Sequence, residues 1–250
     1  MSTQTLLPDG VDPVVLAPAR GHRGAPIVQA RPSSLVIEGV TKRWRPGQPA
    51  VLDDLDLSLP AGSCTAIGGR NGVGKTTLLR IAAGLIDAES GQVSACGVPV
   101  HARAGAYQRL VALLPAGDRG LYARLSVRRH LEFWSRVSMI PRARASAAVE
   151  EALSQFDLLE LRDRRVDRMS MGQRQRLRIA MTFLPEPHVV LLDEPATSLD
   201  GDGISSLRAA CDRVRERGGA VLWCSPYEDR GREWFDSCRH LRDGRLHEDG

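Results

Sequence analysis

GGRNGVGKTT, residues 68–77, is the stretch that decides the fold. Within it GRNGVGKT (69–76) matches G-x-x-x-x-G-K-[ST]. Three glycines let backbone N–H groups turn inward around an anion, because no Cβ blocks a close approach. SCTAIG (63–68) before it reads as a strand. GKTTLLRIAAGL (74–85) after it reads as a helix, whose positive N-terminal end adds to the same site. Gly69, Arg70, Asn71, Gly72, Val73, Gly74, Lys75, Thr76 and Thr77 are therefore the candidate phosphate cradle. In such a cradle Lys75 reaches the β- and γ-phosphates and Thr76 offers a hydroxyl to Mg²⁺. Of 34 basic residues, 32 are Arg and only Lys42 and Lys75 are Lys. A compact ammonium fits inside a tight loop where a planar guanidinium is too broad. The bland alternative is a glycine-rich turn before an ordinary helix; the flanking strand and helix favour the phosphate site.

Outward from this loop the chain alternates strands and helices. VVLLDEP (189–195) reads as an apolar strand that delivers Asp193 to the carboxyl edge of a sheet, where open α/β sheets bind ligands. Asp193 can hold Mg²⁺ through water. Glu194 can orient or deprotonate an attacking water. The alternative for two adjacent acids is a helix cap. LVALLP (110–115), HVVLLD (188–193) and GAVLWCS (219–225) are short continuous apolar runs, as expected of parallel strands covered on both faces. LVIEGV (35–40) and VLDDLDLSL (51–59) read as two earlier strands, and 126–184 is mostly helical, including ASAAVEEALSQFDLL (145–159). The expectation is an α/β core, residues 35–250, with a helical subdomain inserted at about 116–184. Residues 1–34, rich in Pro, Gly and Ala without periodicity, read as a flexible N-terminal extension.

Composition narrows the classes. A 42% hydrophobic fraction in 250 residues allows a packed core. No apolar run approaches the ~18 residues that span a bilayer. The start shows no charged segment followed by an apolar one, so no signal peptide is expected. Five scattered Cys without a C-x-x-C pair argue against zinc or a disulfide framework and suit a reducing cytosol. The net charge of +4 is uneven: residues 101–144 hold nine Arg against Asp118 and Glu132, a local +7 that leaves −3 elsewhere. Such a band suits acidic protein, anionic lipid or nucleic acid, or is simply a solvated face.

Three further segments carry a family resemblance. MSMGQRQRLRIA (169–180), with Ser170 placed as a helix N-cap, resembles the LSGGQ signature of ABC-type ATPases and the basic amphipathic helix that follows it. TSLD (197–200), ending in Asp200, is similar to their D-loop. VTKRW (40–44) is similar to their A-loop, whose aromatic, here Trp44, stacks on adenine. Order and spacing agree over residues 35–247. The resemblance implies a P-loop NTPase fold with a mostly parallel sheet, N-terminal antiparallel strands and an inserted helical subdomain. It implies ATP and Mg²⁺ as ligands. It also implies two domains facing head to tail, as homodimer or heterodimer, with ATP between the phosphate loop of one and Ser170, Gly172 and Gln173 of the other. Its partner would be an integral membrane permease on a separate chain, at the cytoplasmic face of the cell membrane, and no nucleic acid is expected. AGDRGLYARLSVRRHLEF (116–133) resembles the segment of ATPases that drive exporters of drugs, lipids or polysaccharides. It lies in the basic band, which then faces the permease or lipid.

Two positions depart from the family pattern. Its Gln after LLP is Ala116, and Gln108 precedes the strand and cannot substitute. Its switch His is Pro226, and no His occurs between His188 and His240. For the Gln, Asp118 acting through water is a candidate replacement, against the bland reading of an ordinary loop acid; for the His, Ser225 or Tyr227 would substitute only in part. Met171 replaces the first signature Gly. The expected behaviour is normal Mg-ATP binding with slow hydrolysis. A second reading is a regulatory module that closes on ATP and rarely turns over. A third, an ABC-type ATPase acting on nucleic acid or ribosomes, usually has paired domains, long coiled-coil insertions or zinc modules, which are not seen here.

Overall fold

The computed structural model describes residues 33–102, 105–117, 120–226 and 232–248; the expected extension up to residue 32, Asp118 and Tyr227 lie outside them. Two sheets organise the chain. In the first, β1 (Ser33–Lys42) pairs antiparallel with β2 (Leu52–Pro60) and β4 (Ser90–Ala95), and β4 with the short β5 (Val98–Pro99). β1 starts two residues before the expected LVIEGV. In β2 Leu55, Leu57 and Leu59 are buried while Asp56 and Ser58 are exposed, the period-2 pattern of a strand with one wet face.

The second sheet runs β10-β9-β3-β8-β7-β6. Here β3 is Cys64–Gly68, β6 Val111–Leu114, β7 Val189–Asp193, β8 Ala220–Cys224, β9 Ser237–Arg242 and β10 Arg245–Glu248. Pairing is parallel from β9 to β6, with β10 antiparallel at the edge. Every residue of β7 and β8 is buried, and β7 shows why. Val190 and Leu192 enter one core with Leu131, Phe156 and Leu177 from the helical segment. Val189 and Leu191 enter the other, with Leu35, Leu55 and Leu78. A strand that feeds two cores has no polar face, hence the continuous apolar run.

Between β6 and β7 lie α3 (Val127–Val137), α4 (Arg142–Gln155) and α5 (Met171–Phe183), with 3-10 turns at Leu159–Leu161 and Val166–Arg168. Ser126 caps α3, its hydroxyl accepting from the Arg129 amide. The fully buried His130 ring accepts from the Tyr122 amide at 2.8 Å and lies 3.1 Å from the Ser126 carbonyl. Burial lowers its pKa, so the neutral ring holds this corner. The helix after the phosphate loop, α1 (Lys75–Ala82), stops earlier than expected: Gly84 turns left-handed at φ 68° and its amide closes on Ile81. The remaining α-helices among the described residues are α2 (Ala106–Leu110) and α6 (Gly201–Glu216), and a 3-10 turn lies at Arg232–Trp234.

Candidate functional site

The carboxyl ends of β3 and β7, with β8 between them, bring the phosphate loop and the acidic pair together. The Thr76 hydroxyl donates to Asp193 Oδ2 at 2.7 Å. Asp193 is 2% exposed, and Glu194 beside it is half-buried. A buried carboxylate beside a half-buried hydroxyl suits a hard divalent cation such as Mg²⁺. The loop itself needs its glycines. Gly69 and Gly74 hold φ of 146° and 121°, and a Cβ there would meet Leu241 O at 2.7 Å and Val51 O at 2.9 Å. Lys75 is 5% exposed, and its Nζ donates to the carbonyls of Gly69 (2.5 Å) and Arg70 (3.1 Å), drawing the loop around the ammonium. Arg70, Asn71 and Gly72 form the exposed rim, and Thr77 packs inward.

Glu194 stands at φ 50°, a left-handed conformation uncommon outside glycine. Two bonds hold it there: its amide donates to Cys224 O on β8 (2.9 Å), and its carbonyl accepts from Thr197 (3.2 Å). A strained backbone fixed by its surroundings is common at reacting groups. Trp44 follows β1 as a residue 53% exposed, with Lys42 Nζ 5.4 Å from its ring centre. Its loop closes through Val51 N to Lys42 O (2.8 Å), so Val51 anchors it against Gly74.

Ser170 caps α5 as its spacing predicts. Its hydroxyl accepts from the Gln173 amide (3.2 Å), and the Gln173 side chain accepts from the Ser170 amide (3.1 Å). Gly172 sits against the D-loop, where a Cβ would lie 2.8 Å from Ser198 O. Asp200 caps α6, accepting from the Gly203 amide at 2.8 Å, and pairs with Arg176 at 2.7 Å. Arg176 and that amide hold the Asp200 carboxyl below its usual range. Within this chain Asp200 thus acts as a cap and ion-pair partner, and Arg176 also grips Asp157 at 2.6 Å.

The two departures lie at the same edge. Ala116 is exposed just past β6. Pro226 follows Ser225, whose amide donates to Ile67 O at 3.1 Å. With Gly69, Arg70, His240, Arg242 and His247, Pro226 lines a cleft of about 1150 Å³ beside the phosphate loop. One group was not anticipated from the sequence: buried Arg178 and Gln175 on α5. The Arg178 guanidinium donates to the carbonyls of Pro115 and Gly117 and to Gln175 Oε1 (2.7 Å), and Gln175 Nε2 donates to Pro195 O (2.9 Å). Their sequence signal was a polar i, i+3 pair on a stripe that continues to buried Thr182.

Comparison with known proteins places this geometry. Residues 52–197 match the family described as ABC transporter. The chain is 35% identical over 180 residues to the Fe(3+) ions import ATP-binding protein FbpC of Escherichia coli K12, covering 72% of this chain and 50% of that protein. It is 31% identical over 218 residues to the daunorubicin resistance ATP-binding protein DrrA3 of Streptomyces coeruleorubidus, covering 87% and 68%. A solved structure described as the ATP binding subunit of an ABC transporter superposes with a TM-score of 0.79 at 25% identity, over 87% of this chain and 90% of that one.

Proposed function

This chain belongs to the ABC transporter family, and from that premise we propose that it powers export by a separate membrane permease through ATP-driven pairing of two such domains. It is an ABC-type ATPase that binds ATP with Mg²⁺. The observation that carries the site assignment is the Thr76–Asp193 bond at 2.7 Å, which joins the phosphate loop to the acidic strand. In this reading the loop amides and Lys75 hold the β- and γ-phosphates, and Trp44 stacks on adenine. Thr76 and Asp193 would hold the Mg²⁺, which would neutralise charge on the phosphate oxygens. Glu194 positions and deprotonates the attacking water. Ser170, Gly172 and Gln173, at the positive end of α5, cap the γ-phosphate held by the facing domain, and Asp200 lies on the same seam.

The observation that favours export is the resemblance of 116–133 to exporter ATPases, since the relatives include both drug-resistance and import ATP-binding proteins. Among the described residues no helix is long and apolar enough to cross a membrane. In this reading the permease is another chain, and this one works beside it at the cytoplasmic face. The surface offered to it is the basic band, where Arg129 and Arg136 flank exposed Phe133 and Val137 on α3. Charged contacts between exposed groups are screened beyond about 10 Å at 0.1 M salt. The test is binding of the chain to membrane vesicles that carry its permease, measured from 0.05 to 0.5 M NaCl. Affinity should fall steadily with salt, and affinity independent of ionic strength would contradict this docking surface.

A further inference from the structure

Arg178 joins three segments that the ATPase reading treats separately. It lies on α5, two turns from Ser170, and is 5% exposed. Its Nη2 donates to Pro115 O and its Nη1 to Gly117 O, so the loop after β6 is gripped on both sides of Ala116. A planar fork bonded at two points fixes orientation as well as position. Through Gln175 the same network reaches Pro195, the residue after Glu194.

The exposed methyl of Ala116 offers no polar group to a nucleotide. What holds this loop is the backbone clamp from α5. An α-helix of eight residues spans about 12 Å and moves as a rigid rod, so a shift at Ser170 is carried to the guanidinium. We propose that Arg178 is a positioning residue that makes the 115–117 loop follow the nucleotide held opposite Ser170, in place of a side chain at position 116 reading the chain's own nucleotide. This rests on the reading that two domains close on ATP. It makes the loop after β6 a reporter of the facing site, carried by a contiguous set of bonds with a definite geometry.

The test is amide hydrogen exchange at Ala116 and Gly117, with and without Mg-ATP, in the Glu194→Gln chain and in the same chain carrying Arg178→Met or Arg178→Lys. Dimerisation is followed in parallel by light scattering and folding by thermal melting. In the Glu194→Gln parent, ATP should slow exchange at these amides about 10-fold, as a local opening is suppressed. Arg178→Met should reduce the ATP effect to less than about 2-fold while ATP still produces the dimer. Arg178→Lys, whose single ammonium cannot bridge both carbonyls as the fork does, should leave about 3-fold. A purely structural role would speed exchange equally in both nucleotide states and leave the ratio unchanged, which overturns the proposal. If Arg178→Met does not fold, the Lys variant decides, and parental protection in it overturns the proposal. A parent that stays monomeric with Mg-ATP overturns the closure reading and this link with it. A parent that dimerises while folded Arg178→Met keeps full protection overturns the link alone.

Discussion

Replacing Pro226 with His should raise kcat for ATP by about 10²-fold, with little change in KM, because a positioned donor at a developing charge contributes about 10²–10³ in rate. The position is suitable. β8 lies between the phosphate-loop strand and the acidic strand, and Cys224 is in register with Asp193. Ser225 is tied to Ile67, and residue 226 borders the cleft beside Gly69 and Arg70. Pro contributes neither a side-chain donor nor an N–H there. The gained rate should also acquire a pH dependence around the ordinary His value of about 6.5. Steady-state phosphate release over pH 5.5–8.5 measures both. An unchanged kcat would show that Pro226 is not what limits turnover.

Glu194→Gln should remove that gain and lower the unmodified chain's own turnover by about 10²-fold or more, as expected for loss of a general base. Gln keeps the size of the side chain and occupies the left-handed backbone at φ 50° at no greater cost than Glu. The bonds from its amide to Cys224 and from Thr197 to its carbonyl are main-chain and survive. Binding and closure should therefore persist while chemistry stops. Phosphate release from the two chains separates an enzyme from a regulatory module: a rate that depends on Glu194 marks an enzyme, and equal background rates mark a module that closes without turnover.

Much of this site is legible in the chain because its physics is local. Gly69 and Gly74 stand where a Cβ would strike Leu241 O and Val51 O, so the requirement appears at the positions that bear it. β7 and β8 were readable because they bury both faces, which leaves an unbroken apolar run. Ser170 and Gln173 announce a helix start through a capping box three residues apart. What was not legible depends on partners far along the chain. β9 reads SCRHLR and buries only Leu241 fully, yet pairs with β3 through its backbone. β4 buries only Val93 and Ala95. Arg178 looks like one more cation on a basic helix until carbonyls 61 and 63 residues away close on it. Asp200 looks like a ligand of the facing domain, and its cap and its pairing with Arg176 emerge only once α5 and α6 are side by side.

The most direct test of the composite site is complementation between two halves. In a Glu194→Gln background, Lys75→Ala destroys the phosphate loop of one chain, and Ser170→Arg blocks the cap of another. Each variant alone, with Mg-ATP, should remain at the monomer mass of 27.3 kDa. An equimolar mixture retains one intact site, built from Lys75 of the second chain and Ser170 of the first, and should form ATP-dependent dimers by analytical ultracentrifugation. A mixture as inert as its components, beside a Glu194→Gln parent that dimerises, would contradict a nucleotide shared between facing chains.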